Sequence, residues 1–198
     1  MISLLILLQL HLFPTEYLEF ENLYKYIKPY DSVVWWEAGV CDLSTQKHKP
    51  YFCSDISVMI ILSEFSKENT YSSNYYTVFP GRHYLVYKTL SGDIKYISSV
   101  EQLIMFIGVI DNLPEALFLA HMYGFSAKPN RKFGSFRVYN GVYIFNLYKI
   151  LRPPDDLLAN EKLIKAKIKV DVNGNVYEFI GKHYTKWRKL SEKDLNRH

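Results

Sequence analysis

Two cysteines, six scattered histidines and no internal repeat leave this 198-residue chain short of the features that usually point to a function. Cys41 and Cys53 are too few for a disulfide-framed mini-domain, and they form no C-x-x-C pair of the redox or zinc kind. No two histidines take H-x₃-H spacing and no H-E-x-x-H occurs, so no metal site is expected, and no cofactor. Walker loops, dinucleotide fingerprints and G-x-S-x-G elbows are missing too, which removes the motif-borne nucleotide and serine-hydrolase chemistries. The opening apolar run, MISLLILLQLHLF from Met1 to Phe13, is too short to span a bilayer.

What is present belongs to a folding chain. Hydrophobic residues make up 48%, charged residues 22% and aromatics 16%, a balance that excludes intrinsic disorder. Tyrosine stands out at 17 residues. Its ring packs while its hydroxyl stays wet, so it suits strands and half-buried surfaces, with an aromatic ligand-binding face as the sharper alternative. The net charge of +4 is uneven along the chain: residues 181–198 hold six Lys or Arg and two acids, leaving residues 1–180 with 18 of each sign. By that count the body is neutral and the end, GKHYTKWRKLSEKDLNRH, is a basic tail.

The most informative stretch runs from Ile110 to Ile180. Asn112 with Glu115 three residues on reads as a capping box, with Pro114 in the first helical turn. Leu113, Ala116, Leu117 and Ala120 recur at i, i+3, i+4 and i+7, and Gly124 ends the helix. Two Asn-Gly pairs follow, Asn140-Gly141 and Asn173-Gly174, each suited to the two positive φ angles of a type I′ hairpin turn. Between them Ile164, Ala166, Ile168 and Val170 alternate with Lys165, Lys167 and Lys169, so one strand face packs and the other meets solvent. Tyr143, Phe145 and Leu147 alternate in the same way with Ile144, Asn146 and Tyr148. Arg152-Pro153-Pro154-Asp155-Asp156 breaks the ladder.

This order of PEALFLA, a hairpin at Asn140-Gly141 and a terminal strand pair around KVDVNGNVYEF resembles PepSY-like and related cystatin-like α+β modules. The resemblance covers roughly 70 residues, and the Pro153-Pro154 linker is longer than the compact pattern. It implies an envelope-associated inhibitory or interaction module, with no catalytic residues to carry across.

The first half is less regular. Met1–Phe13 has the length of a signal h-region but no basic residue before it and no small-x-small cleavage site ahead of Glu16; the alternative is a buried or amphipathic first helix. Tyr17, Phe20, Leu23, Tyr24 and Ile27 fall at helical spacing until Pro29. Val33–Trp36 reads as a short buried strand and Gly39–Pro50 as a loop between the two cysteines. Closing that loop by a disulfide would contribute about 3 kcal/mol in an oxidising compartment. Ile56–Phe65 reads as a helix and Lys67–Asn74 as a loop. Tyr84–Leu90 and Ile94–Ile97 flank a hairpin turn at Ser91-Gly92-Asp93, and Ser98-Ser99 cap a helix running to Phe106.

These signals predict an α+β fold of antiparallel hairpins packed on a few helices. Residues 1–97 form an irregular N-terminal portion, 98–180 a helix-plus-sheet module, and 181–198 the tail. No residue is singled out as catalytic: Glu115 is a cap, His121 a boundary residue at the polar edge of its helix, and Asp171 a strand-end residue. The expected function is a non-enzymatic binding or interaction module, an accessory subunit with a protein partner. Two alternatives stand beside it. The loop Phe79-Pro80-Gly81-Arg82-His83 offers Arg82 and His83 to an anion in a small hydrolase or transferase. The tail offers Trp187 and Arg188 to nucleic acid or a membrane interface. The N-terminal segment sets the expected location, periplasmic or secreted if 1–13 is a signal and cytoplasmic otherwise, and is the other route to membrane association.

Overall fold

Period-two alternation and tight turns are realised in the computed structural model as two antiparallel sheets with helices packed on them. The structure describes residues 10–30, 32–42, 47–54, 83–130, 132–151, 162–180 and 186–195. The expected helix Ile56–Phe65, the loop Lys67–Asn74, Gly81-Arg82 and the Arg152–Asp156 link lie outside them. The small sheet runs β3-β2-β4-β5, from β2 (Val33–Asp42), β3 (Lys47–Cys53), β4 (His83–Thr89) and β5 (Ile94–Tyr96). The large sheet runs β1-β7-β8-β9-β10-β11. Its strands are β1 (His11–Leu12), β7 (Ser135–Tyr139), β8 (Val142–Leu151), β9 (Lys162–Val170), β10 (Val176–Ile180) and β11 (Lys186–Lys189). A short β6 (Phe125–Ser126) pairs with β8 beyond the end of β7. The α+β class stands.

Local chemistry explains the helices. Helix α1 (Phe20–Leu23) is a single turn flanked by 3₁₀ turns at Thr15–Tyr17 and Tyr24–Tyr26, where one longer helix was expected. Glu19 at its N-cap makes no side-chain cap bond, and four aromatics crowd the segment, so little favours a regular helix there. Helix α2 (Val100–Ile107) begins as the sequence indicates: Ser99 Oγ accepts from the Gln102 N–H at 3.1 Å, and Gln102 Oε1 accepts from the Ser98 N–H at 2.8 Å. Helix α3 (Leu113–Met122) is capped by Asn112, whose side chain accepts from the Glu115 N–H at 2.9 Å. Its expected one-sided stripe is a correction. Every residue from Pro114 to Met122 is buried, because α1 packs on one side and β6 and β9 close the other.

The turns divide. Asn140 (φ 49°) and Gly141 (φ 72°) form the tight turn of the β7–β8 hairpin with both residues left-handed. At the second Asn-Gly only Gly174 is left-handed, at φ 74°. Gly174 N–H reaches the Asp171 carbonyl and Asp171 N–H the Asn175 carbonyl, so this is a wider turn closed by a glycine bulge. The Asp171 carboxylate holds it, accepting from the backbone N–H groups of Asn173 and Asn175 at 3.0 Å each.

Within the expected loop Gly39–Pro50, the described residues Gly39–Asp42 and Lys47–Pro50 are strand. They form the facing parts of β2 and β3, with a register shift at Ala38/Gly39. Pro50 is accommodated because β3 is the outermost strand of this sheet among the described residues, a position that tolerates a missing donor. The same register corrects the disulfide expectation. Cys41 stands opposite His48 and Cys53 opposite Glu37, four residues away along β2. That is roughly 13 Å of strand, against a Cα separation below about 7 Å for a bridge, and Cys53 is a thiol.

One hydrophobic core joins both sheets. It includes Phe13, Leu23 and Tyr24 from the first segment, Trp36, Ala38 and Leu85 from the small sheet, and Phe118, Phe145 and Ile168 from α3 and the large sheet. Phe106 of α2 meets Trp36 at 5.5 Å and Tyr87 at 5.1 Å between ring centroids. The end of the opening apolar run takes part: His11 and Leu12 pair with Phe136 and Ser135, and Phe13 is buried. No described helix is long and apolar enough to cross a membrane.

Candidate functional site

The strand register gathers the site on the outer face of the large sheet. Tyr143, Phe145 and Leu147 of β8 and Ala166, Ile168 and Val170 of β9 point into the core, so the residues between them point out. One outward row runs across five strands as Arg137, Ile144, Lys169, Tyr177 and Lys189. A second places Asn146 beside Lys167 and Phe179 beside Trp187. A third pairs Tyr148 with Lys165. Five cations and four aromatic rings thus share one face. Lys165 and Lys189 are exposed and the rest half-buried.

Cations and rings are layered. The Lys169 ammonium sits 4.0 Å from the Tyr177 ring centroid and 5.3 Å from that of Trp187. The Lys167 ammonium lies 5.1 Å over Phe179, and Lys128 lies 5.2 Å over Tyr148. Such cation–π contacts orient a lysine while leaving its charge unneutralised. Burial lowers the Lys167 pKa, and the nearby charges of Arg137 and Lys165 lower it further, the mark of like charges held together. Among the described residues none of the five cations has a carboxylate within ion-pair distance. The acid at the end of these rows, Asp171, is engaged by its own turn and by the Tyr177 hydroxyl at 3.3 Å.

The expected site residues are dispersed. Residues 186–189 are a strand of the sheet rather than part of a loose tail, and Trp187 packs on Phe179 at 4.7 Å. Alternation sends Arg188 to the opposite face, where it donates to Asp194 at 2.7 Å and Glu178 at 3.3 Å. Trp187 therefore belongs to the cationic face, and Arg188 ties down the chain beyond β11, together with buried Leu190 and Leu195. His83 opens β4 and is buried among rings, 5.2 Å from Phe20 and 5.6 Å from Tyr51. Burial lowers its pKa, partly opposed by Glu21.

Other buried polar groups are structural. His121 is only 7% exposed and meets Phe20 edge-on at 5.6 Å; burial pushes its pKa down to about 4. That overturns its reading as a boundary residue, since a helix buried all round has no polar edge. Glu115 is buried, and its carboxylate accepts from the Lys28 N–H at 2.9 Å and the Asp111 N–H at 3.4 Å, while its own N–H donates to the Asn112 cap. Burial raises its pKa against these bonds. Glu37 is likewise raised by burial and accepts from the Tyr84 hydroxyl. A shallow depression of about 280 Å³ beside Tyr26, Lys28 and Asn112 brings together no acid–base pair. Among the described residues no three His, Cys, Asp or Glu side chains are placed to hold a metal ion.

Sequence reasoning found the outward lysines of β9 but not the face they complete. The signal was available in the alternation of Tyr177 with Glu178 and of Trp187 with Arg188, yet only the register shows that both rings fall beside the lysines. No family model, no curated protein and no solved structure matches this chain.

Proposed function

We propose that this protein is a non-enzymatic nucleic-acid-binding accessory module that carries its ligand on the outer face of the large sheet. One observation carries the proposal: five cations interleaved with four aromatic rings on one face, with no carboxylate neutralising them among the described residues. Lysines held this way offer counterion-releasing contacts to phosphates, and the rings gather the ammonium groups on one face of the free protein. The test is the salt dependence of nucleic-acid binding. Replacing Lys165, Lys167 and Lys169 together by Gln should weaken binding and reduce the slope of log K against log salt by about 2–3. Absence of binding at low salt, or an unchanged slope in the folded triple variant, would overturn the proposal.

A second reading, a protein-docking accessory subunit, is favoured by a different surface. Tyr30, Leu90, Met105 and Val109 are 60–72% exposed. Backbone bonds from Tyr30 to Phe106 and from Leu90 to Ser32 draw their segments together. The PepSY-like resemblance of residues 110–180, with its envelope-associated role, belongs to this second reading and is supported by the order of helix, hairpin and second hairpin. A photo-crosslinker at Val109 in the native cell should yield one discrete protein adduct; no adduct removes this reading.

A further inference from the structure

We propose that the ligand of this face is single-stranded nucleic acid, with bases stacked on Tyr177, Phe179 and Trp187 and phosphates taken by Lys165, Lys167 and Lys169. The inference rests on the nucleic-acid reading above and narrows it to one ligand class.

The geometry separates a single strand from other polyanions. Tyr177 and Phe179 lie two residues apart on one strand, roughly 6.6 Å, which leaves each ring to a different base. Trp187 stands directly opposite Phe179 on the neighbouring strand and extends the platform sideways. Lysine ammonium groups already lie 4.0–5.3 Å from these ring centroids. A base arriving on a ring displaces the ammonium from the ring face, and the phosphate of the same nucleotide receives it. The exchange needs no rearrangement of the backbone. Every base has a π face, so the platform favours no particular sequence.

A duplex cannot use this arrangement. Its bases are enclosed in the stack, and it would meet only the cations, leaving the rings idle. An anionic membrane fits less well because the rings are half-buried beneath lysine side chains, whereas interfacial anchoring inserts protruding apolar side chains.

The experiment uses the full chain and four probes: a labelled oligothymidylate of about ten nucleotides, an abasic sugar–phosphate strand of the same length, a duplex, and vesicles containing phosphatidylserine. Anisotropy reads binding of the first three and co-sedimentation the fourth. Oligothymidylate should bind at least about tenfold more tightly than the abasic strand or the duplex. Trp187→Ala should remove about tenfold from oligothymidylate affinity and leave the abasic strand unchanged. A measurement independent of any variant is tryptophan quenching. Trp35 and Trp36 are each only 3% exposed, so quenching by oligothymidylate but not by the abasic strand reports stacking on Trp187. Equal affinity for strand, abasic strand and duplex overturns this inference and leaves the electrostatic reading in place. Binding to vesicles alone, or to none of the probes, overturns both.

Discussion

Acidification should unfold this protein partly through one histidine. His121 lies on α3 with 7% of its surface exposed, and its pKa falls from 6.5 to about 4 because burial penalises the charged ring. Its Nε2 atom has no hydrogen-bond partner among the described residues, so nothing there compensates a positive charge. Between these two values the unfolded chain binds a proton at His121 and the folded chain does not. Stability therefore rises with pH across that window and is lost as pH falls through it. The gap of about 2.5 units corresponds to about 3 kcal/mol. Glu37 and Glu115 have raised pKa values and act in the opposite sense, favouring the folded state as they protonate. Their contribution cancels when the parent is compared with His121→Leu. Urea titrations from pH 4 to pH 7 should show the parent losing about 3 kcal/mol more than the variant on acidification. Curves that run parallel across that range would refute the assignment, whichever protein is more stable at pH 7.

Glu115→Ala leaves the Lys28 and Asp111 N–H groups without their acceptor and should cost about 2–3 kcal/mol in chemical denaturation, whereas Glu115→Gln, which keeps an oxygen for Lys28, should cost less than half of that. Gly174→Ala forces a side chain into φ 74° and sets its Cβ 2.9 Å from Ile104 Cγ1, so the melting temperature should fall by roughly 2–8 °C. Ile104→Val in the same background should recover little of that loss, since it removes only Cδ1 and leaves both the Cγ1 contact and the backbone strain.

Much of the fold was legible because local signals and tertiary structure agree. The Asn112 and Ser99 caps, the turn at Asn140-Gly141 and the hairpin closed around Gly92 all sit where their chemistry puts them. The β2–β3 pairing was hidden because Gly39 and Pro50 are loop signals in sequence, and only the register shift at Gly39 and the outer place of β3 among the described strands absorb them. Burial of His121 was hidden because a helical wheel shows one apolar stripe, while α3 is enclosed from two sides. The cationic face was hidden by counting charge along the chain. The body is neutral in sum, but its alternation concentrates lysines on one side of the sheet, and β11 arrives there by pairing that no local pattern announces.

The strand His11–Leu12 has a consequence for how the protein is made. Its partner residues are Ser135 and Phe136, more than 120 positions later, so at synthesis it waits while most of the chain emerges from the ribosome. Closing so long a loop delays the reward of the contact, and high contact order slows folding. Until that pairing forms, the edge of β7 stays open and Phe13 stays outside the core it completes. The nascent chain therefore carries an unpaired N-terminal strand and an unburied Phe13 for most of its translation, the interval in which a chaperone would have something to hold.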